Sequence, residues 1–432
     1  MIDNISQEFF TVVIPTRERC DTLIHSLRTC VTQNYDNLEI IVSDNYSQDS
    51  TCEVVESFKD SRIRYINTGK RISMSDNFEF ALAHVKPKGY IIYIGDDDGL
   101  LPNAINDINR IVVQTSAEVI RWDIASYHWP EIDSETANIL TIPHYKSGIT
   151  VKKSSVTIQN VLSFINGFDA LPLLYNRSAV KYDVISRIKN HSGRFYHSFI
   201  PDVYSGFVIA ESVGTYVNSE RPYSISGRSQ HSNACALLKN PNNINARKFL
   251  SEDNIPFHPS LVYCFSMDLF IAESYLQARD HFHFSSEYAL DMAKLFSLMI
   301  SRVSEKTDEE YVLIRNIILS IGRLNGILEL AEKAVLLNPK IKAGEIKKIS
   351  FYMVFKKGLK AIQHPVEFFV KDKLHLKLEA SQFGVKNIYD ACLLCGTLNK
   401  LIDLKIIKKS VFMKSLILDI KNRFRINLQR MS

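Results

Sequence analysis

Three adjacent carboxylates, Asp96-Asp97-Asp98, follow the apolar run YIIYIG and precede Gly99-Leu100-Leu101-Pro102. Like charges on neighbouring residues repel, and a bound divalent cation relieves that repulsion. Hard oxygen ligands suit Mg²⁺ or Mn²⁺, which commonly bridge protein carboxylates and substrate phosphates. In an open α/β sheet, ligands bind just beyond the carboxyl ends of the strands, where this triplet falls. A solvated acidic turn is the alternative reading of such a charge run. Val42-Ser43-Asp44-Asn45 ends a second apolar run. There Asp44 can accept hydrogen bonds from a base or ribose, or cap the next helix. Ile14-Pro15-Thr16-Arg17 ends a third. Arg17 can stack on a base, pair with phosphate, or stand on the surface. The absence of glycine at this turn argues against the GxGxxG of a nicotinamide dinucleotide fold.

These residues need a sheet to bring them to one edge, and the spacing provides it. Apolar runs at FFTVVIP, LEIIVSD, IRYIN and YIIYIG, and again at 117–122, predict strands. Helical spacing over 20–33, 51–58, 75–84 and 101–113 predicts the crossovers between them. Alternation of this kind predicts a largely parallel, doubly wound α/β sheet. Residues 124–230 are less regular. From about 240 to 340 the pattern turns helical, and from 342 onward basic and apolar residues interleave. The expected domains are 1–240 for the site, 241–340 as a helical region, and 341–432 as a basic helical C-terminal region.

The blocks VVIPTRER, the helix reaching Gln33-Asn34-Tyr35, EIIVSDNYSQDST, RIRYIN, Asn77 with its following helix, and YIIYIGDDDGLLP lie in order over residues 9–103. Together they resemble the family 2 glycosyltransferases of the GT-A fold. The resemblance implies an α/β catalytic domain that transfers a sugar, with inversion, from a nucleotide-diphosphate sugar to a glycan or lipid-linked acceptor. It implies a UDP-sugar as donor and bacterial lipopolysaccharide O-antigen or capsule synthesis as setting. Pro15, Thr16, Arg17 and Asp44 should hold the nucleotide base, with Asp96 and Asp97 at the ribose or donor sugar. Asp98 should bind a Mn²⁺ or Mg²⁺ ion that bridges the diphosphate and acts as a Lewis acid. Arg17-Glu18-Arg19 departs from the Tyr or Phe then Asn-Arg of many members.

An inverting transfer needs a base for the acceptor hydroxyl. Family members supply a carboxylate about a hundred residues after the metal motif, which points to Asp202 in HSFIPDVY. A plain helix N-terminal carboxylate after Pro201 is the alternative. Asp123, after VIRW, better suits acceptor contact. Trp122 and Trp129 are either a sugar platform or core anchors. The polar stretch Ser224–Ser232 reads either as a loop over the diphosphate or as a mobile linker. In the first case His231 joins the metal shell and Arg228 neutralises phosphate.

With 46% apolar and 23% charged residues over 432 positions, the composition is that of an ordinary globular protein. Seven cysteines do not make a disulfide framework and favour a reducing compartment. Cys392 and Cys395 read as small residues buried on a helix. MIDNISQEFF lacks the basic-then-apolar pattern of a signal peptide, and no apolar run reaches the ~18 residues of a membrane span. A cytoplasmic protein, associated with the inner face of the membrane, is expected.

The net charge of +5 is uneven. Residues 341–432 hold 19 Lys and Arg against 7 Asp and Glu, leaving 33 against 40 in residues 1–340. A basic, aliphatic tail without a nucleic-acid motif is expected to make a peripheral membrane contact or a homo-oligomer, and no nucleic-acid partner is expected. Two other functions fit the fold class. One is a nucleotidyltransferase, which would normally open with a glycine-rich basic loop. The other is a non-catalytic glycan-binding or scaffold protein, which would have less reason to keep all three carboxylates.

Overall fold

The computed structural model describes residues 6–132, 136–230, 254–282, 284, 288–341 and 375–403. Its main sheet grows from strand β1 (Phe10–Thr16), an almost fully buried run flanked by β2 (Leu38–Asp44) and β4 (Tyr90–Tyr93). Strands buried on both faces read as continuous apolar segments rather than alternating ones. β3 (Ile63–Asn67) lies outside β2. The short β5 (Gly99–Leu100) leaves this sheet, which continues with β6 (Val119–Trp122), β9 (Ile149–Lys153), β10 (Ser178–Lys181) and β11 (Thr215–Ser219). The order is β3-β2-β1-β4-β10-β6-β11-β9. β1 to β4 are parallel, as the crossovers predict, whereas β10 runs antiparallel to both β4 and β6, and β9 antiparallel to β11. The continuous parallel run therefore belongs to the first half, and β6 with β11 forms a separate parallel pair beyond it.

Register fixes the site edge. Thr16 pairs with Asp44, and Asp44 with Asn67, so the last residues of three strands stand in one row. The crossovers are α1 (Cys20–Val31), α2 (Thr51–Ser57), α3 (Met74–Ala83) and α4 (Ala104–Thr115). In α1, Leu23, Leu27 and Cys30 recur every three or four residues and are fully buried, while Asp21 and Arg28 face solvent.

A second sheet is ordered β13-β8-β7-β12-β5, with β7 (Ala125–His128), β8 (Ile139–Pro143), β12 (Ser224–Arg228) and β13 (His375–Glu379). Two expectations change here. Ser224–Arg228 is a strand rather than a loop or linker, because it pairs with β5 and β7 and buries Ile225 and Gly227. Residues 375–379, in a region expected to be helical, pair antiparallel with β8. The helix α12 (Ile388–Asp403) covers this sheet, its Ile388, Cys392, Cys395 and Leu398 packed with Leu101, Tyr127 and Ile225. A sheet face of alternating apolar residues needs such a cover, and the chain supplies it from far along the sequence.

On the other side of the main sheet lie α5 (Ser154–Leu162), α6 (Tyr182–Ser192) and α7 (Pro201–Val213). The expected helical region follows as α8 (Met267–His281), α9 (Met292–Ser301), α10 (Asp308–Leu324) and α11 (Leu328–Leu337). It shares one continuous apolar core with α7, through Phe207, Leu269, Tyr275 and Phe296. Among the described residues no helix is long and apolar enough to cross a membrane.

Candidate active site

The triplet leaves β4 as a tight, buried turn. Asp96, Asp97 and Asp98 are 3%, 5% and 1% exposed, which rules out the solvated acidic turn. Each carboxylate has its own donors. Asp96 accepts from the Thr16 hydroxyl at 2.8 Å and from the Arg19 guanidinium at 2.9 Å. Asp97 accepts from the Ser229 hydroxyl at 2.7 Å and, more weakly, from the Ser229 N–H at 3.3 Å. Asp98 accepts from the Gly95 N–H and the Gly227 N–H, both at 2.8 Å. Burial, with Asp96 close by, pushes the Asp97 carboxyl above its ordinary range. Burial and the neighbouring Asp97 push Asp98 higher still. Burial works against the Arg19 charge, yet Asp96 and Asp97 more than offset it and hold the guanidinium protonated. One arginine thus faces three carboxylates.

Arg19 is the residue that reading of the sequence missed. The signal was present in Arg17-Glu18-Arg19, but only the backbone tells which arginine turns inward. Glu18 takes a left-handed φ of 52°. Its N–H donates to the Ser47 hydroxyl, and its carboxylate accepts from the Gln48 N–H. That turn sends Arg19 to Asp96 and leaves Arg17 half-buried beyond β1. Pro15 is half-buried and Thr16 buried at the strand end.

Asp44, also buried, closes the row. Its Oδ1 accepts from the Ser47 N–H at 3.0 Å and the Ser47 hydroxyl at 2.5 Å. Its Oδ2 accepts from Tyr65 at 2.5 Å and Asn67 at 2.9 Å. Asp44 does not cap the next helix, whose N-cap is Ser50; the side chain orders its own turn at the sheet edge.

Asp202 opens α7, directly after Pro201 at the first turn, and is half-buried. Burial raises its carboxyl above the ordinary range, opposed by its own and the Val203 N–H and by the Arg177 charge. Tyr175 lies in the electrostatic field of both Asp202 and the triplet. Burial raises this phenol far above its usual value, and the negative field of Asp98, Asp97, Asp96 and Asp202 adds to the shift. A Cβ on Gly95 would come within 2.5 Å of the Tyr175 hydroxyl oxygen, so the phenol abuts the start of the triplet turn.

Arg177 is drawn down to about 10 by burial and by Arg121. Arg121 itself bonds Asp123 and the Asn218 side chain. Asp123, half-buried, therefore belongs to this arginine cluster. Neither Tyr175 nor Arg177 lies in a recognisable motif, so only the fold could find them.

Of the two readings of the tryptophans, the core-anchor one holds. Trp122 is fully buried and donates from its indole to Ser224 at 2.8 Å, which makes it a core anchor and removes it from acceptor contact. Trp129 is buried too and donates to the Asp97 carbonyl. Arg228 is exposed on β12 and pairs in register with His128, while its neighbours Gly227 and Ser229 donate to the carboxylates. His231 lies outside the described residues.

The residues fit a divalent cation in part. Both oxygens of Asp98 already accept one N–H each, and each keeps a lone pair. Among the described residues no group of three or more His, Cys, Asp or Glu side chains is arranged to hold an ion by itself. Mg²⁺ and Mn²⁺ tolerate such a set, because one or two carboxylates with substrate phosphates and water suffice.

Residues 11–159 match the family model described as Glycosyl transferase family 2. A β-1,3-glucosyltransferase of Campylobacter jejuni acting on GalNAc(5)-diNAcBac-PP-undecaprenol is 31% identical over 101 residues, 23% of this chain and 32% of that protein. The Escherichia coli UDP-Glc:α-D-GlcNAc-diphosphoundecaprenol β-1,3-glucosyltransferase WfaP is 30% identical over 155 residues, 36% of this chain and 60% of WfaP. The match thus spans about a third to three fifths of these relatives. Among solved structures, Staphylococcus aureus TarS residues 1–349 with UDP-GlcNAc superposes with a TM-score of 0.44 at 14% identity, covering 76% of this chain and 89% of that one. Over residues 11–159 this chain is thus similar to the glycosyl transferase family 2 domain.

Proposed function

We propose that the protein is an inverting glycosyltransferase that moves a sugar from a nucleotide-diphosphate sugar to a hydroxyl of a lipid-linked glycan. The observation that carries this is the buried triplet: three carboxylates, one paired arginine, at the carboxyl edge of parallel strands, with Asp202 acting on the same phenol. Buried like charges are costly unless something cationic completes them.

Thr16, Arg17 and Asp44 line the edge where the base binds, Arg17 presenting its planar guanidinium and Asp44 holding the turn and the Tyr65 and Asn67 side chains in place. Asp96 and Asp97, fixed by Arg19 and Ser229, orient the ribose and donor sugar. Asp98 is the ligand for Mn²⁺ or Mg²⁺, and the ion, when bound, stabilises the departing nucleoside diphosphate. Asp202 accepts the proton of the acceptor hydroxyl as its oxygen attacks the anomeric carbon from the face opposite the diphosphate. A raised pKa suits a base, provided the group is ionised at the working pH. The Arg121–Asp123–Arg177 cluster beside Asp202 orients the acceptor.

The name of the Escherichia relative supports a UDP-sugar donor, and both relatives' names support a diphosphoundecaprenol-linked acceptor; surface polysaccharide synthesis is the setting that fits such an acceptor. A lipid-linked acceptor places the protein at the inner face of the membrane. Its basic residues 341–432, mostly outside the described residues, then meet anionic lipid or a second copy.

Incubation with a panel of nucleotide sugars, with and without Mn²⁺, tests the reading. Release of the nucleoside diphosphate that needs metal, and a product of inverted anomeric configuration, are expected. Absence of turnover with every donor leaves the scaffold reading, and pyrophosphate release from a sugar phosphate and a nucleoside triphosphate the nucleotidyltransferase one.

A further inference from the structure

Where α12 docks against the start of α4, it leaves a cavity of about 470 Å³, within the range of small-molecule sites. Its lining shares no residue with the site described above. Asn399 is fully buried in that wall, and among the described residues neither its amide nitrogen nor its amide oxygen has a hydrogen-bond partner. Native folds satisfy buried amides with few exceptions, and an orphaned donor and acceptor at a cavity wall are the mark of a missing partner.

The remaining lining gives that partner a sign. Asp107 divides its two oxygens between Arg110 and Arg221, each at 2.9 Å. Asp403 takes a second contact from Arg221 at 3.1 Å. Lys400 is exposed at the rim and has no ion-pair partner among the described residues. Three cations thus meet two carboxylates. The N-terminus of α4 opens on the same space, and Asn103, its cap, makes no side-chain capping bond. A helix N-terminus adds positive potential to such a surface.

We propose that this cavity binds a small hydroxylated anion, a sugar phosphate or a sugar acid. The anionic oxygens accept from Lys400, Arg110 and the Asn399 amide nitrogen, while a ligand hydroxyl donates to the Asn399 amide oxygen. Ligand binding here secures α12 against β5, the strand that follows the triplet, where the Cys392 sulfur would lie 2.6 Å from a Cβ on Gly99.

Isothermal titration of the full chain with glucose 6-phosphate, glucuronate, inorganic phosphate and neutral glucose tests this. Saturable binding of one sugar anion, about tenfold or more tighter than glucose, is expected. Arg110→Ala/Lys400→Ala, which alters exposed side chains only, should weaken it by about tenfold or more. Asn399→Leu should weaken it too, and if that buried change unfolds the chain the exposed pair carries the test. Asp98→Ala should leave it unchanged, which separates this site from the donor site. The glucose 6-phosphate and glucuronate arms tell phosphate from carboxylate. Failure of both sugar anions to saturate, equal affinity in the double variant, or inorganic phosphate binding as tightly as either sugar anion would overturn the proposal.

Discussion

Gly227 donates its N–H to Asp98 Oδ1 at 2.8 Å from a position where no side chain fits. A Cβ there would lie 1.7 Å from the Asp97 carbonyl oxygen, a backbone atom that cannot swing away. Strand β12 must therefore carry glycine at this point to lie against the triplet. Gly227→Ala is expected to push β12 off the turn, lowering stability by about 1–3 kcal/mol and abolishing transfer. Urea unfolding beside a turnover assay reads both, and a variant with wild-type stability and rate would show that the contact does not shape the site.

Asp202→Asn is nearly isosteric and cannot take a proton. Turnover should fall by ~10²–10⁴-fold with donor affinity nearly unchanged. In the wild type the rate should rise with pH through the raised Asp202 value and then level, because only the ionised carboxylate accepts the proton. The stability sign is opposite. A carboxyl raised by folding adds stability below its ordinary value of about 3.9, and loses it as pH rises through the folded value. Asp202→Asn should therefore be no less stable than wild type at neutral pH. A large loss of donor binding at ordinary turnover would instead mark Asp202 as a donor-site residue.

Arg19→Gln leaves Asp96 buried with only the Thr16 hydroxyl from the strand end. Removing the one cation from three buried carboxylates should cost about 1–3 kcal/mol at neutral pH. The loss should shrink on acidification, because Asp97 and Asp98, both raised by burial and by a neighbouring carboxylate, take up protons earlier than an ordinary carboxylate. Thermal melts from pH 5 to 8 would show it; a pH-independent difference would place the effect elsewhere.

Asp98→Ala, or excess chelator, should abolish turnover while the chain stays folded. Retained near wild-type turnover in either case would remove the metal role from Asp98.

Ending the chain at residue 374 removes β13 and α12 and bares Leu101, Tyr127, Leu140, Ile142 and Ile225, each now buried. Burial of a side chain of this size is worth about 1.5–3 kcal/mol, so this truncation should aggregate or melt far below the full chain. Ending after Asp403 keeps β13, α12 and the core they cover. It removes eight Lys and Arg against one Asp, and with them the binding to anionic vesicles. Co-sedimentation that is equal for the full chain and for residues 1–403 would take membrane contact away from residues 404–432.

The order of strands and crossovers through residue 122 and the edge bearing Thr16, Asp44 and Asp96–Asp98 were legible in the sequence. So was the resemblance of residues 9–103 to the family 2 glycosyltransferases, which the family-model match over residues 11–159 bears out. Local periodicity and turn residues suffice for parallel strands joined by short helices, because each strand must return to the same edge. The sequence could not show that the stretch after Ser224 is a strand whose Gly227 and Ser229 hold Asp98 and Asp97, since those contacts join residues about 130 positions apart. Nor could it show which of Arg17 and Arg19 turns inward, a choice made by the left-handed backbone at Glu18. The pairing of residues 375–379 with β8 was equally hidden: five residues of alternating pattern become a strand only when a sheet edge elsewhere in the fold offers partners for their backbone.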